Sequence, residues 1–544
     1  MDDCLNYEQT QLFSNLFLDY INQKSSVSSF YNRFPNLQNF AAQIQDKQSQ
    51  YNQKHRAVLV DVLNKQYQDF ETSKQTQNHI NQLSQSNTFT ITTGHQLNLF
   101  TGPLYTFYKI ITVLKTCEQL KTQYPDFNFV PLFWLASEDH DFEEINHFHF
   151  KDKTISWPKK ASGAVGELDT NDLKSVFETF EDTLPKTQLA EELKNLFKQA
   201  YLKHKNLSEA SIYLYNQLFG SKGLVILEPN HKKLKACFKN QIRTELLEQI
   251  TYKEVTQTSE HLKSQNYHEQ VTPREINLFY KDNNLRERLI LKDNKFFVNS
   301  TQLEFSKDEI LNEVETHPEK FSPNALMRPL YQEVLLPNLS YVGGAGELAY
   351  WLQLQSTFEA FEIPFPMLQM RNSALLFSEK TKTKLDKLDL KVADLFQSTI
   401  DLKNQQVKKI SKIDIDFTPQ KEHLSQQFKA LYKLAKQTDK TFLNAVAAQE
   451  KKQHNGLNKL EKRLLKAQRR QLADQINRSV KLQDKLFPKQ NLQERIVNFS
   501  ELYLARGEGF IEFLYENFEP FDFSFSVLKL KTNPKSLNQS FVSN

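Results

Sequence analysis

The segment TFTITTGHQLNLFTGPLYTFYKI, residues 88–110, decides the fold of this chain. It begins with β-branched residues typical of a strand, turns at two glycines, and continues into an apolar, periodic stretch that predicts a helix. A second apolar run, FVPLFWLAS at 129–137, follows that helix. Strand, turn, helix and strand in this order predict a βαβ unit, with both strands in a parallel sheet that is covered on its two faces.

The same pattern returns farther along the chain. GLVILEPN at 223–230 predicts another buried strand, and 321–378 repeats the order strand, glycine-rich turn, helix and strand. Between them, 231–320 predicts helices and then short antiparallel strands joined by Asn and Asp turns. We therefore predict an α/β fold whose sheet is formed by 89–230 and 321–378, with 231–320 as an inserted connecting region.

The two flanking regions are predicted to be helical. Residues 1–88 place apolar side chains three and four positions apart, and 379–490 does so amid dense Lys, Gln and Glu. No proline occurs between Pro419 and Pro488, which predicts an antiparallel coiled-coil arm with its turn at Gly456. Its helices would be roughly 45 Å long. The arm either packs within the monomer or, as we favour, forms a homodimer, because its apolar stripe has no core of its own. The C-terminal segment is 491–544.

Composition excludes several classes of protein. The net charge is only +4, from 69 basic and 65 acidic side chains among 544 residues, so nucleic acid and anionic membrane partners are not predicted. No apolar stretch approaches the ~20 residues that span a bilayer, and no signal peptide is evident. Cys4, Cys117 and Cys237 lie too far apart to suggest a disulfide framework. We expect a cytoplasmic protein.

Polar residues follow the first predicted strand. In an open parallel sheet ligands bind at the carboxyl ends of the strands, where Gly94, His95 and Gln96 are expected, with Gly102 just before the helix. This loop could bring backbone amides near a phosphate or carboxylate, although it matches neither nucleotide-binding glycine motif. His95 either contacts such a ligand or bridges the loop. Lys109 is expected on a solvated helix face.

Ionisable residues crowd behind the second strand. Glu138, Asp139, His140 and Asp141 follow the apolar run directly. Carboxylates around an imidazole would raise its pKa and could hold it as a general acid or base, or could gather Mg²⁺.

Two other interpretations of this cluster stay open. His140, His147 and His149, with Asp139 or Asp141, have ligand types that suit zinc, although their spacing is not that of a helical zinc motif. Ser137 and Glu138 could instead form an acidic N-cap of the next helix.

The segment YVGGAGELAYW, residues 341–351, places three of the chain's twelve glycines within four positions, namely Gly343, Gly344 and Gly346. They predict either a plain tight turn or a backbone that bends sharply or closely approaches a ligand. Glu347 follows them. Asn324 and Arg328 precede them and could supply an amide and a guanidinium to an anion, although Arg328 could equally pair with a structural carboxylate.

Four segments give the chain a wider resemblance. TTGHQLNLFTGPLYTFYKI, PLFWLASEDHDFEEINH, SPNALMRPLYQEVLLPNLSYVGGAGELAYWLQL and LFPKQNLQERIVNF occur in this order between about residues 90 and 505. On them the chain resembles the BshC family, the cysteine ligases of bacillithiol biosynthesis. The resemblance implies a Rossmann-like core similar to that of class I aminoacyl-tRNA synthetases and nucleotidyltransferases, connecting-peptide insertions, and a C-terminal coiled coil that mediates dimerisation.

The resemblance also implies a reaction, the addition of L-cysteine to the glucosamine amine of glucosaminyl-malate in the last step of bacillithiol synthesis. ATP is the expected activator, with Mg²⁺ as its companion ion. The catalytic residues predicted on this basis are Asp139, His140 and Asp141, and no resident metal ligand is predicted. The predicted substrate- and nucleotide-binding residues are Gly94, His95, Gln96, Gly102, Tyr105, Asn324, Arg328, Gly343, Gly344, Gly346 and Glu347.

Two further functions are weighed against the ligase. One is a coiled-coil scaffold whose α/β domain binds nucleotide without turnover. The other is a metal-dependent hydrolase that uses the charge cluster around His140. So many ionisable groups at one strand end favour an enzyme over a scaffold.

Overall fold

A computed structural model describes residues 4–530 of the protein. The ends of the two predicted terminal segments, 1–3 and 531–544, lie outside the described residues. The N-terminal elements are β1 (Cys4–Leu5), α1 (Tyr7–Thr10), α2 (Asn15–Ile21), α3 (Phe40–Gln50), α4 (Lys54–Gln66) and α5 (Lys74–Gln82).

The first half of the core begins at the segment that opened the sequence analysis. Its elements are β2 (Thr88–His95), α6 (Tyr105–Gln123), β3 (Asn128–Leu135), α7 (Phe142–Ile145), β4 (His147–Phe150), β5 (Lys153–Ser156), α8 (Leu173–Glu181), α9 (Gln188–Tyr201), α10 (Leu207–Phe219) and β6 (Val225–Leu227). All eight residues of β2 are buried, as expected for a central strand covered on both faces.

The inserted region and the return to the core follow. The insertion contains α11 (Lys232–Ala236), α12 (Lys239–Glu248), α13 (Ile250–Ser264), β7 (Leu278–Asp282), β8 (Leu285–Lys292), β9 (Lys295–Val298), β10 (Glu304–Phe305), α14 (Lys307–Thr316) and β11 (Phe321–Pro323). The chain then forms α15 (Arg328–Leu335), β12 (Asn338–Gly343), α16 (Ala345–Trp351), α17 (Gln355–Ala360) and β13 (Met367–Met370).

The central sheet is fully parallel, with strand order β13-β12-β2-β3-β6. The chain starts in the middle at β2, proceeds through β3 to β6 on one side, and crosses to β12 and β13 on the other. Helices α3 and α6 cover one face, where Phe40 and Val113 pack with Ile91 and Val342. The order reverses between β2 and β12, so the topology predicts a ligand crevice at the carboxyl ends of these two strands.

The insertion forms a second sheet with the order β10-β9-β8-β7-β11, and its strand pairs are antiparallel. This agrees with the short strands and Asn and Asp turns of the sequence. The last strand predicted for 321–378 was expected to contain Pro364 and Pro366, but both lie before β13.

The C-terminal elements are β14 (Ser373–Ser378), α18 (Glu379–Lys387), α19 (Thr399–Ile410), α20 (Thr418–Ala435), α21 (Lys440–Gln471), α22 (Ala473–Leu486), α23 (Gln493–Ile496), α24 (Phe499–Arg506), α25 (Gly509–Asn517) and β15 (Phe525–Leu530). The inclusion of β14 in the core sheet is wrong. It pairs in parallel with β15, and β1 adds to the other side of β15 as an antiparallel strand.

The predicted turn of the arm at Gly456 is also wrong. Helix α21 runs through Gly456 without a break, and the chain reverses between α20 and α21 at 436–439. Asp439 caps the new helix by accepting hydrogen bonds from the amides of Thr441 and Phe442 at 2.8 and 3.0 Å. An exposed glycine inside a helix costs only about 1 kcal/mol, which a long helix tolerates.

Nowhere in residues 4–530 does a helix combine the length and apolarity needed to cross a membrane.

Candidate functional site

A cavity of about 1010 Å³ opens where the strand order reverses. Its walls are the carboxyl ends of β2, β3 and β12, the start of α15, the β7–β8 hairpin of the insertion, and residues that follow β13. This is the upper end of the range for small-molecule sites, so two co-substrates have room to meet there.

Most of the predicted binding residues line this cavity. They are Gly94, His95, Gln96, Tyr105, Asn324, Arg328, Gly344, Gly346 and Glu347, together with Asp139 and His140 of the predicted catalytic set. Gly102, Asp141 and Gly343 are not among the lining residues.

The three residues outside the cavity have other surroundings. Gly102 has φ +61°, and a Cβ there would come within 2.6 Å of Asn98, so its glycine is needed for the loop itself. A Cβ on Gly343 would meet Leu348 at 3.0 Å, so that glycine permits close packing between β12 and α16. Asp141 is exposed to solvent.

The expectation of a solvated Lys109 is wrong. Its side chain is buried, donates to the carbonyl oxygen of Gly94 at 2.9 Å, and forms a 2.6 Å ion pair with Glu347. Glu347 also accepts hydrogen bonds from the Gly344 amide at 2.8 Å and the Tyr341 hydroxyl at 3.0 Å. Burial alone would raise the pKa of Glu347, but Lys109, the Gly344 amide and the nearby His95 lower it to about 2. Lys109 of α6 thus links Gly94, near the end of β2, to Glu347, which follows the end of β12.

His95 is a buried, neutral imidazole. Burial, together with the positive charges of Lys109 and Arg371, lowers the pKa of His95 to about 3. Its ring lies edge-on to Tyr105, with 5.2 Å between ring centroids. Nε2 of His95 has no hydrogen-bond partner in the part of the chain that the structure describes.

Asp139 is held as a carboxylate. Its burial opposes ionisation, but a 2.8 Å hydrogen bond from Gln96, the charge of Arg286 and two backbone amides outweigh it and lower the pKa of Asp139. Gln96 also donates to Glu144 at 2.8 Å, so it connects the loop after β2 to the segment after β3.

The expected rise in the pKa of His140 is wrong. Burial and the charge of Arg286 lower this pKa, and they outweigh the opposing effects of Asp139 and Asp141. Nη1 of Arg286 lies 2.5 Å from Nδ1 of His140. Because a guanidinium only donates, Nδ1 must accept, and the neutral ring carries its proton on Nε2. In this arrangement His140 is a hydrogen-bond donor rather than a general base.

Replacing Arg286 with glutamine is expected to raise the pKa of His140, because the cation that opposes protonation is lost while both aspartates stay. An NMR titration of ¹³Cε1-labelled histidines, assigned with His140→Gln, measures this pKa. Arg288→Gln is the matched control, since Arg288 lies on the same strand and also lines the cavity. An equal pKa in the wild type and Arg286→Gln would contradict the prediction.

The zinc and N-cap interpretations find no support in the geometry. His147 and His149 lie on β4, where they bond to Asn146 and Thr154. Within residues 4–530, no three His, Cys, Asp or Glu side chains are grouped as metal ligands. Glu138 caps no helix and forms a 2.7 Å ion pair with buried Lys235.

Sequence reasoning missed most of the basic residues of the cavity. Its lining contains seven basic side chains, Lys109, Arg274, Arg286, Arg288, Arg328, Arg371 and Arg495, and four acidic ones, Glu138, Asp139, Glu287 and Glu347. Arg371 directly follows β13, so the rule that sites form at strand ends could have found it. Arg495 lies in the fourth segment of the family resemblance, far from the sheet in sequence.

The C-terminal region completes the site. Arg371 is buried and forms a 2.6 Å ion pair with Glu494, the neighbour of Arg495. The side chain of Asn498 donates to the carbonyl oxygens of Phe100 and Gly102 at 2.8 and 2.6 Å, which fixes the loop after β2. The site therefore depends on both parts of the chain.

Two family models match the chain. One, described as the N-terminal Rossmann-like domain of the bacillithiol biosynthesis protein BshC, covers residues 1–372, and the other, its C-terminal coiled-coil domain, covers 374–530. Proteins named "Putative cysteine ligase BshC" are 51% identical in Flavobacterium johnsoniae, over 97% of this chain and 99% of the relative, and 48% identical in Christiangramia forsetii, over 97% and 98%. A relative of the same name in Bacillus mycoides is 29% identical over 94% and 97%. The chain thus belongs to the BshC family of bacillithiol biosynthesis, whose curated members are named as cysteine ligases.

Proposed function

We propose that this ligase adds L-cysteine to the glucosamine amine of glucosaminyl-malate, with ATP activating the cysteine carboxylate. The observation that carries the proposal is the charge of the cavity, whose lining has seven basic side chains and only four acidic ones. The malate group contributes two carboxylates, cysteine one, and ATP a triphosphate, so these substrates together are strongly anionic. A net positive, partly enclosed cavity concentrates such ligands.

Amide formation needs an activated acyl group and a free amine that attacks it within a water-poor site. The cysteine carboxylate would attack a phosphorus of ATP, its second substrate, to form a mixed anhydride as pyrophosphate or ADP leaves. Attack of the amine on the carbonyl carbon would then form the amide and release AMP or phosphate. Arg328, which donates to the Tyr350 hydroxyl at 2.7 Å, and Arg495 are suited to phosphate or carboxylate oxygens.

The charge cluster after β3 is assigned to the amine. The Asp139 carboxylate attracts and orients the ammonium form of glucosamine, which loses a proton to solvent before the free amine attacks. His140 donates a hydrogen bond through Nε2 to an oxygen of the same substrate, since an ammonium group has no lone pair to accept one. Asp141 lies outside this assignment because it does not line the cavity. Mg²⁺ would have to be bound mainly through phosphate oxygens and water, since the described residues offer no cluster of three ligands.

Deleting the gene in a bacterium that makes bacillithiol is expected to abolish bacillithiol and to accumulate glucosaminyl-malate, both measured by mass spectrometry of thiol-labelled extracts. The wild-type gene should restore the thiol, whereas Arg328→Met should restore at least tenfold less because a cavity cation is lost. Arg243→Met, at a surface ion pair with Glu315, is the control. Unchanged thiol in the deletion strain would refute the proposed reaction.

The ATP requirement has its own test. Purified protein with all three substrates should convert ATP to AMP and pyrophosphate, or to ADP and phosphate, in step with the amide product, as followed by ³¹P NMR. Amide formation without nucleotide cleavage would remove ATP from the proposal and leave the ligase assignment in place.

We also propose that the arm forms a homodimer. Leu431, Leu434, Phe442 and Leu460 on α20 and α21 are 40%, 57%, 48% and 53% exposed, which is unusual for large apolar side chains. Changing Leu434 and Leu460 to glutamate is expected to give monomers by light scattering coupled to gel filtration. Ile290→Glu, on β8 of the insertion and 37% exposed, is the control. A dimer that survives the double change would place the interface elsewhere.

A further inference from the structure

We propose that the space in front of Gly344 is the subsite for the α-amino acid substrate, in which Arg371 binds the carboxylate, Glu347 binds the ammonium group, and the side chain lies against His95 and Tyr105. This rests on the proposed function, since it places the cysteine of that reaction. Three unused hydrogen-bonding positions and an empty volume between them carry the inference.

The cationic position is Nε of Arg371. Nη1 of this side chain donates to Asn372 and Ser373 at 2.9 and 3.0 Å, and Nη2 donates to Glu494 at 2.6 Å. Nε is buried and has no hydrogen-bond partner among residues 4–530. The side chain is only 3% exposed, so a buried N–H donor is left for a ligand in the cavity that it lines. Leaving such a donor unsatisfied costs free energy, which a carboxylate oxygen would recover.

The anionic position is Glu347. Its carboxylate accepts three hydrogen bonds, from Tyr341, Gly344 and Lys109. A carboxylate has about four acceptor positions, so one stays available. The side chain is 29% exposed, on the cavity side where it is a lining residue, and an ammonium group can reach it.

The empty volume lies beside Gly344. This residue has φ −82° and ψ 166°, a conformation open to any L-residue. A Cβ placed on it would meet nothing nearer than 3.6 Å, and the atoms it would meet are Nε of Arg371 and Oε2 of Glu347, both at 3.6 Å. Neither backbone conformation nor protein packing therefore requires glycine here. Its absent side chain leaves space that is flanked by one cation and one anion.

The dimensions suit an α-amino acid. Since both groups lie 3.6 Å from the same point, they are within about 7 Å of each other. A zwitterion whose ammonium and carboxylate are about 3 Å apart can bridge that distance with one hydrogen bond of about 3 Å at each end. Tyr105 lies near both flanking groups, because its ring centroid is 5.3 Å from the Arg371 guanidinium and 5.9 Å from Nζ of Lys109, the partner of Glu347, and His95 packs on its edge.

The third position is Nε2 of His95, which is buried and without a partner among the described residues. A neutral imidazole nitrogen and an aromatic ring form a suitable wall for a thiol, since sulfur packs favourably against aromatic rings. The wall is uncharged, so it admits a neutral side chain and disfavours an ionised one.

The test is isothermal titration of the full-length protein with L-cysteine, in the presence of a non-hydrolysable ATP analogue. Cysteamine, which lacks the carboxylate, and 3-mercaptopropionate, which lacks the ammonium group, should bind at least tenfold more weakly than L-cysteine. Equal affinities for all three ligands, or no binding of L-cysteine, would overturn the inference.

The key variant is Gly344→Ala, which should fold normally and bind L-cysteine at least tenfold more weakly, because its methyl group fills the subsite. Gly509→Ala is the matched control, since a Cβ there meets nothing within 4 Å in the described residues and Gly509 is not among the cavity-lining residues. Undiminished cysteine binding by a folded Gly344→Ala protein would overturn the inference.

A second variant separates binding from folding. Arg371→Lys keeps a cation for Glu494 but removes the Nε donor, so it should weaken L-cysteine binding and leave cysteamine binding unchanged. Equal losses for both ligands would contradict the carboxylate assignment.

If these variants bind cysteine normally while bacillithiol still depends on the gene, the subsite lies elsewhere and the ligase assignment stands. If the gene is dispensable for bacillithiol, the proposed function itself fails.

Discussion

Replacing Lys109 with methionine is expected to lower the free energy of unfolding by about 3–5 kcal/mol at pH 7 and to abolish ligase activity. Lys109 is buried and Glu347 is only partly exposed, on the cavity side, and Lys109 also satisfies the Gly94 carbonyl oxygen. Methionine fills a similar volume but leaves a carboxylate and a carbonyl oxygen without their cation. Breaking one side of a buried pair is costly because the remaining charge stays desolvated.

The effect should depend on pH, with a sign set by Glu347. Its pKa is lowered from 4.5 to about 2 in the folded protein, so its contribution to stability is complete above about pH 4.5 and is lost as the pH falls towards 2. Without Lys109 the carboxyl group loses its main stabilising charge and protonates more readily in the folded state. The stability difference between the wild type and Lys109→Met should therefore be largest near neutral pH and shrink on acidification.

Urea titrations of the wild type and Lys109→Met, followed by circular dichroism, measure the loss of unfolding free energy at pH 7 and its decrease at pH 4. Lys115→Met is the matched control, because Lys115 lies on the same helix but forms a looser ion pair, 3.9 Å from the half-exposed Glu519, and its Nζ lies 5.3 Å from the centroid of the Tyr515 ring. It should change the unfolding free energy by less than about 1 kcal/mol. A similarly small change at Lys109 would show that the pair does not hold β2 and β12 together.

Local sequence patterns predicted much of the core because the residues of β2, α6, β3 and β12 carry their own signals. Apolar runs indicate buried parallel strands, and glycines or ionisable residues mark where those strands end. The rule that ligands bind at such ends placed Gly94, Asp139 and Glu347 at one edge of the sheet, and the structure brings all three to the same cavity.

Long-range pairing set the limit of that reasoning. β14 has the apolar pattern of a core strand, and only its pairing with β15, about 150 residues later, shows that it belongs to another sheet. Lys109 was likewise expected on a solvated helix face, as is usual for a lysine, and its burial is explained by its ion pair with Glu347 at the start of α16. The turn of the arm was wrongly predicted at Gly456 because a glycine weakens a helix locally. The packing of α20 against α21 determines where the arm turns.

The sign of the His140 pKa shift shows the same limit within the site. The neighbouring aspartates are visible in the sequence and do raise this pKa, but Arg286 is 146 positions away and lies closer to the ring than either of them. Arg286 belongs to the inserted hairpin, whose placement over the cavity no local pattern indicates.

Replacing Glu494 with glutamine is expected to destabilise the protein by about 3–5 kcal/mol and to reduce bacillithiol formation, because it breaks the buried link between the two family domains. Arg371 belongs to the residues matched by the Rossmann-like domain, and Glu494 belongs to those matched by the coiled-coil domain. Their side chains are 3% and 1% exposed, so the guanidinium would be left buried without its anion. Glu494 also accepts the Ala374 amide at 3.0 Å, which holds the start of β14.

Glu494→Gln should also disturb the site, because Arg371 and Arg495 both line the cavity and both lie next to this ion pair in space or sequence. Hydrogen exchange measured by mass spectrometry is expected to increase at the β13–β14 junction and around 493–499, while the arm helices α20 and α21 keep their protection. Glu516→Gln, at an exposed position on α25, is the control and should leave stability and exchange unchanged. If Glu494→Gln instead loses less than about 1 kcal/mol and exchange at the junction does not change, the domains are held together by apolar packing. The position of Arg371 in the cavity would then not depend on Glu494. The C-terminal region would contribute only Arg495 and Asn498 to the site.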